Sequence, residues 1–204
     1  GVDVSTRYTM RSREMYQRYA TYIFRVVKAK MGNYLIFFPS YRFMEDVYQE
    51  FTQLLASDEE EMELVIQQKH MDEEERENFL RAFEMRREKS LIGFGVLGGI
   101  FSEGIDLTNE KLIGTLIIGT GLPQVCNERE ILKSYFDQKG LYGFDYAYRY
   151  PGMNKVLQAA GRVIRTEKDR GVIALLDERF NYSQYRKMFP REWHNCSKTS
   201  LNTI

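Results

Sequence analysis

The clearest chemical pattern in the chain is the octet Gln158-Ala159-Ala160-Gly161-Arg162-Val163-Ile164-Arg165. At about 100° per helical residue, Gln158, Arg162 and Arg165 fall on one side. Val156, Leu157, Ala160, Val163 and Ile164 fall on the other and form a core stripe. One amide and two guanidiniums on an exposed side suit phosphate oxygens, because the planar guanidinium binds bidentately and stays charged. Gly161 beside them costs a helix about 1 kcal/mol against alanine, and a close approach by a ligand or another backbone is a reason to keep it. The same spacing serves a surface helix whose arginines pair with neighbours such as Glu167 and Asp169.

A second glycine pattern carries less. Gly93-Phe94-Gly95-Val96-Leu97-Gly98 matches the dinucleotide fingerprint G-x-G-x-x-G. That fingerprint works only between a strand and a helix that presents its N-terminus to a pyrophosphate. Here Arg81 to Lys89 reads as helix before it, and Gly99 to Gly104 opens no amphipathic helix after it. A nicotinamide-dependent oxidoreductase is therefore set aside. The phosphate-cradling pattern G-x-x-x-x-G-K-[ST] is absent from the sequence. His70 and His194 stand isolated, and Cys126 and Cys196 are too few for a four-thiolate zinc or iron–sulfur site. No metal ligands are assigned.

The elements that must position these residues read as alternating strands and helices. Ser12 is placed to cap a helix carrying Met15, Tyr19, Ile23 and Val27, with Gly32 as its stop. Tyr34–Phe38 is a buried strand broken at Pro39-Ser40, and Phe43, Val47 and Phe51 mark the next helix. Leu64–Ile66, Ile92–Phe101, Leu112–Ile118 and Val172–Leu176 read as further strands. Asp72–Lys89 and Met153–Thr166 read as helices, and Asn127 with Glu130 has the form of a capping box closed by Gly140. Leu141–Gly152 reads as a tyrosine-rich loop. The expected class is α/β: a mostly parallel sheet with helices on both faces, whose ligands sit beyond the carboxyl ends of the strands.

Composition narrows the classes. Lys+Arg and Asp+Glu are 29 each, so a uniformly basic nucleic-acid binder is excluded. The charge is segregated along the chain, however. Residues 1–44 hold 8 basic and 2 acidic side chains, residues 45–90 hold 6 and 15, and residues 147–198 hold 11 and 5. One basic face is expected if the fold unites the outer segments, while Asp58–Glu61 and Asp72–Glu75 read as solvated helix ends. The apolar run Leu91–Phe101 is short and holds four glycines, so no membrane span and a cytoplasmic, reduced protein are expected.

Taken together, several segments resemble one family. Gln158-x-x-Gly161-Arg162-x-Ile164-Arg165 is similar to motif VI of superfamily 2 helicases in their XPD/DinG-like form. Leu176-Asp177-Glu178-Arg179-Phe180 is similar to the downstream pattern of that branch. Ser102-Glu103-Gly104-Ile105-Asp106-Leu107, within 99–107, resembles motif V, and Phe37-Phe38-Pro39-Ser40-Tyr41, within 36–41, resembles motif IV. Gly121-Leu122-Pro123 resembles the short segment after the strand between motifs V and VI, and Ser5-Thr6-Arg7-Tyr8 with Arg11 resembles the beginning of the second helicase domain.

The resemblance implies one RecA-like domain over 1–204, the second of two motor domains, with 124–152 as a helix-loop insertion. It implies ATP, with Mg2+, held mainly by a first motor domain of the same polypeptide, and an iron–sulfur module possible there but none in this chain. Arg165 and Arg162 become arginine-finger candidates with Gln158 assisting, and Gly161, Gly104 and Asp106 fall at the nucleotide side. The alternative role for Asp106 is a turn or cap carboxylate. Ser40, Tyr41, Arg42 and Ser102 fall at the single-stranded DNA track; Ser40 is also placed as an ordinary N-cap. Tyr142, Phe144, Tyr146, Tyr148 and Tyr150 with Arg149 suit either base stacking or packing on another domain. The implied activity is ATP-dependent 5′→3′ translocation on single-stranded DNA. A non-catalytic nucleic-acid- or protein-binding module on a helicase-like fold is the alternative.

Overall fold

The computed structural model describes residues 1–58, 61–85, 87–101, 112–164 and 170–204. Helix α1 (Arg13–Lys28) begins where the Ser12 hydroxyl accepts the Met15 N–H at 3.2 Å. Its buried stripe of Met15, Tyr19, Ile23 and Val27 lies on the sheet. Strand β1 (Asn33–Phe38) leads into α2 (Tyr41–Ala56), then β2 (Met62–Ile66), α3 (Glu73–Ala82) and β3 (Ser90–Val96). Strand β4 (Gly114–Ile118), α4 (Asn127–Gln138), a π-helical turn (Asp145–Arg149), α5 (Tyr150–Ala160), β5 (Val172–Leu176) and the short α6 (Ser183–Arg186) complete the order.

Among the described residues five strands, all parallel, form one sheet in the order β2-β3-β1-β4-β5. Alternate residues of each strand serve opposite faces. Ile36, Phe38, Ile92, Phe94, Leu116 and Ile118 meet α1 and α2 on one face. Leu35, Phe37, Leu91 and Ile117 meet Phe79, Phe83, Met153, Val156 and Ala159 on the other. Helices thus cover both faces, the RecA-like α/β arrangement. Each fully buried side chain of this size contributes about 1.5–3 kcal/mol relative to exposure.

The glycines of β3 owe their place to packing. A Cβ on Gly93 would stand 2.6 Å from Phe83 Cζ and 2.9 Å from Leu35 Cδ1. The fingerprint-like run is therefore a strand overlaid by α3 aromatics.

Several element limits differ from expectation. Helix α3 does start with the Asp72–Glu75 capping box but stops at Ala82, well short of Lys89, because Phe83 turns into the core over Gly93. Strand β3 ends at Val96, not Phe101. Asn127 is not a cap: Cys126 holds that position without a side-chain bond to the helix N–H groups, and Glu130 instead accepts the Tyr148 hydroxyl at 2.6 Å. The segment 141–152 is not a loop, since the π-helical turn and the first turn of α5 occupy most of it. Helix α5 ends at Ala160, so Gly161 is its C-cap rather than an interior residue.

The charge pattern also resolves differently in three dimensions. Bases of the first segment meet acids of the middle one: Arg13 pairs with Glu50 at 2.7 Å and Lys28 with Asp58 at 2.8 Å. Such exposed pairs contribute about 0–1 kcal/mol each. Their effect here is to cancel, between α1 and α2, part of the basic face expected from the sequence.

Candidate nucleic-acid and nucleotide surfaces

The carboxyl edge of the sheet gathers one set of residues. Strand β1 ends at Phe38, and Ser40 then caps α2 by accepting the Phe43 N–H at 3.3 Å. Phe43 and Met44 are buried, which turns exposed Arg42 outward. The first turn of α2 leaves N–H groups without intrahelical partners and carries the positive end of a 16-residue helix dipole. That combination attracts an anion.

Beside it lies Gln67, a residue that sequence reasoning did not single out. It follows β2 directly and is 2% exposed. Its Nε2 donates to the Tyr41 hydroxyl at 2.8 Å, and its Oε1 accepts the Val96 N–H at 2.8 Å. One amide thus joins the exits of β2 and β3 to the start of α2. A polar residue immediately after a strand was the available signal.

At the exit of β5 a second cluster is closed on itself. Asp177 is fully buried and accepts from Thr6 N (3.0 Å), Thr6 Oγ1 (2.9 Å) and Arg179 Nε (2.8 Å). Burial pushes its carboxyl upward, but the bonds and charge of Arg179 and the Thr6 N–H outweigh this and hold it below the ordinary value. Every partner belongs to this chain, so the cluster clamps the N-terminal segment to β5.

Helix α5 runs from the carboxyl edge to the opposite edge. At its start, the backbone of Gly152 abuts the loop after β4: a Cβ there would lie 2.7 Å from Thr120 O, and one on Gly121 would lie 2.5 Å from Gly152 O. One turn on, the Lys155 side chain lies against the turn after β3, within 3 Å of where a Gly98 Cβ would stand. At its end, Val163 is buried against Gly171, beside Ile113 at the start of β4.

Gln158 is exposed on α5, Arg162 is half-buried in the turn beyond it, and Ile164 faces outward rather than into the core. These residues therefore lie at the far end of α5 from Ser40, Tyr41 and Gln67. Ser40, Tyr41 and Gln67 come just after strands, where ligand contacts were expected, whereas Gln158 and Arg162 do not. Lys155, which the sequence did not single out, lies three residues before Gln158 on α5, but its side chain serves the carboxyl edge beside Gly98. Gly161 is exposed, and a Cβ there would make only ordinary contacts with Leu157 O and Gln158 O, so its own fold imposes no glycine. Arg165, Ser102, Gly104 and Asp106 lie outside the described residues.

The aromatic segment is largely engaged within the chain. Phe136 stacks on Tyr146 at 4.1 Å, Phe144 on Tyr148 at 5.3 Å, and Arg149 lies over Phe144. Tyr142 alone among the named rings is more than four-fifths exposed. Trp193 packs edge-on against Phe189 at 5.3 Å. Among the described residues no group of three or more His, Cys, Asp or Glu could hold a metal ion, and no helix is long and apolar enough to cross a membrane.

The family model for the helicase C-terminal domain matches residues 23–196. The chain is 30% identical over 193 residues to the ATP-dependent DNA helicase XPD of Sulfolobus acidocaldarius, covering 92% of this chain and 32% of that protein. It is 26% identical over 199 residues to the general transcription and DNA repair factor IIH helicase subunit XPD/RAD3 of Saccharomyces cerevisiae, covering 93% and 25%. A solved apo XPD structure matches with a TM-score of 0.73 at 27% identity, over 92% of this chain and 36% of that one. The chain spans between a quarter and a third of the length of these curated relatives.

Proposed function

The chain belongs to the helicase C-terminal domain family in its XPD-like form, and from that premise we propose that it is the second motor domain of an ATP-dependent DNA helicase. In this reading residues 1–204 form one motor domain, with 124–152 inserted between motifs V and VI. It tracks single-stranded DNA with 5′→3′ polarity. ATP with Mg2+ is held chiefly by a first motor domain, and its hydrolysis supplies the free energy for movement. The present sequence has no G-x-x-x-x-G-K-[ST] cradle of its own.

The observation that carries the reading is the state of the α5 end. Gln158 is exposed and Arg162 is half-buried, so an opposing lobe can reach both. The donor set fits a polyphosphate: an amide and guanidiniums offer only N–H groups, plus one carbonyl, to an acceptor-rich anion. Arg162 and Arg165 hold phosphoryl oxygens and offset the charge that develops there, Gln158 assists, and exposed Gly161 leaves room for approach. Gly104 and Asp106 complete the nucleotide side. Ser40, Tyr41 and Arg42, at the other edge, hold the DNA backbone, and Ser102 assists them. In this reading the nucleotide contacts of Gln158 and Arg162 and the DNA contacts of Ser40 and Tyr41 belong to opposite ends of α5, and their separation supports it.

The test uses the full-length protein. Arg165→Ala and Arg162→Ala are each expected to lower ATP turnover by about a thousand-fold while leaving the domain folded by circular dichroism. Near-normal turnover in both would remove the arginines from this role.

A further inference from the structure

We propose that Gln67 is a positioning residue that sets Tyr41 as an outward hydrogen-bond donor to a nucleic-acid phosphate. This rests on the DNA-track reading above and refines it.

The inference follows from the direction of two hydrogen bonds. A backbone N–H can only donate, so the Val96 N–H at 2.8 Å requires the amide oxygen of Gln67 to face it. The amide nitrogen must then face the Tyr41 hydroxyl, 2.8 Å away, and can only donate to it. Tyr41 therefore accepts from inside the protein and keeps its own proton. Among the described residues its hydroxyl makes no other hydrogen bond, and its ring is only half-buried. The proton is left for a group outside.

Gln67 itself cannot turn, because it is 2% exposed and its backbone N–H is tied to Phe94 O at 2.8 Å. Tyr41 is the first residue of α2, next to Ser40 and the unpaired N–H groups of the first turn. The Tyr41 hydroxyl and the free N–H groups of that turn are both donors carried by the same end of α2. A phosphodiester offers acceptor oxygens only, so it matches the set; a group that must itself donate to Tyr41 is disfavoured.

Changing Gln67 to glutamate reverses the arrangement. A carboxylate accepts from Val96 N–H and also from Tyr41, drawing the phenolic proton inward. The experiment measures binding of the full-length protein to a single-stranded oligonucleotide by fluorescence anisotropy, at one fixed salt concentration. Tyr41→Phe, which keeps the ring and leaves Gln67 untouched, is expected to weaken binding about five-fold. Gln67→Glu is expected to weaken it equally, and the double variant no further. A packing role alone predicts that Gln67→Glu costs as much in the Tyr41→Phe background as in the wild type, and that result overturns the proposal. So does wild-type affinity in Tyr41→Phe, which is informative even if Gln67→Glu fails to fold. Failure of the wild-type protein to bind the oligonucleotide overturns the DNA-track reading as well, and is distinguished by needing no variant.

Discussion

Ser40 has two chemistries that one substitution separates. It caps α2 through its side-chain oxygen, and it stands at the proposed phosphate seat. Aspartate caps as well as serine but adds negative charge. Ser40→Asp should therefore hold thermal stability within about 0.5 kcal/mol while lowering single-stranded DNA affinity, measured by anisotropy, by about ten-fold. Asp177 is the contrasting case of a purely internal carboxylate. Asp177→Ala strands Arg179 and Thr6 and should cost about 3–5 kcal/mol by chemical denaturation. Its carboxyl is held below the ordinary value of 3.8, so it binds protons less readily folded than unfolded. Its contribution is accordingly present above that value and lost as pH falls through the lower, folded one. Below pH 4 the wild type should lose stability more steeply than Asp177→Asn. Ser12 and Ser40 were legible as caps because each directly precedes an apolar helical stripe, whereas the Asp72 cap was hidden inside an acidic run. Gln67 was not, since nothing in the chain order tells which backbone N–H a buried amide will meet.

At the scale of elements, α5 is the part read least well, and its apolar period explains why. Val163 and Ile164 continue the spacing of Val156 and Ala160 although the helix has already ended, so the pattern ran through the turn. The tyrosine-rich stretch before it was hidden for the opposite reason. A π-helical turn breaks the 3.6-residue period, and its rings stack on α4 rather than on the sheet. The seat of α5 is nonetheless set by two glycines. Gly152→Ala would thrust a methyl to 2.7 Å from Thr120 O, where only backbone movement can relieve it. Thermal unfolding of that variant should show a loss of about 1–3 kcal/mol, and the coupled shift of the Gln158–Arg162 end should lower ATP turnover in the full-length protein.

For the molecule as a whole, the strands and their class were legible because each is a short, nearly continuous apolar run. The charge layout was not, because α1 and α2 bring Arg13 to Glu50 and Lys28 to Asp58 across 30 or more residues. The chain by itself should hydrolyse no ATP in a phosphate-release assay, for want of a cradle in its own sequence; steady turnover abolished by Arg165→Ala would contradict the assignment.

The all-parallel topology also dictates a timetable. The central strand, Asn33–Phe38, is flanked by Ser90–Val96 and Gly114–Ile118, and Met62–Ile66 pairs only with Ser90–Val96. No ladder between described strands can begin before Ser90 has been made. At roughly 5–20 residues per second of synthesis, the most apolar strand waits several seconds on the ribosome without a neighbour. Nascent chains in that window present an apolar strand with both of its edges unpaired, the feature that invites pairing with another chain.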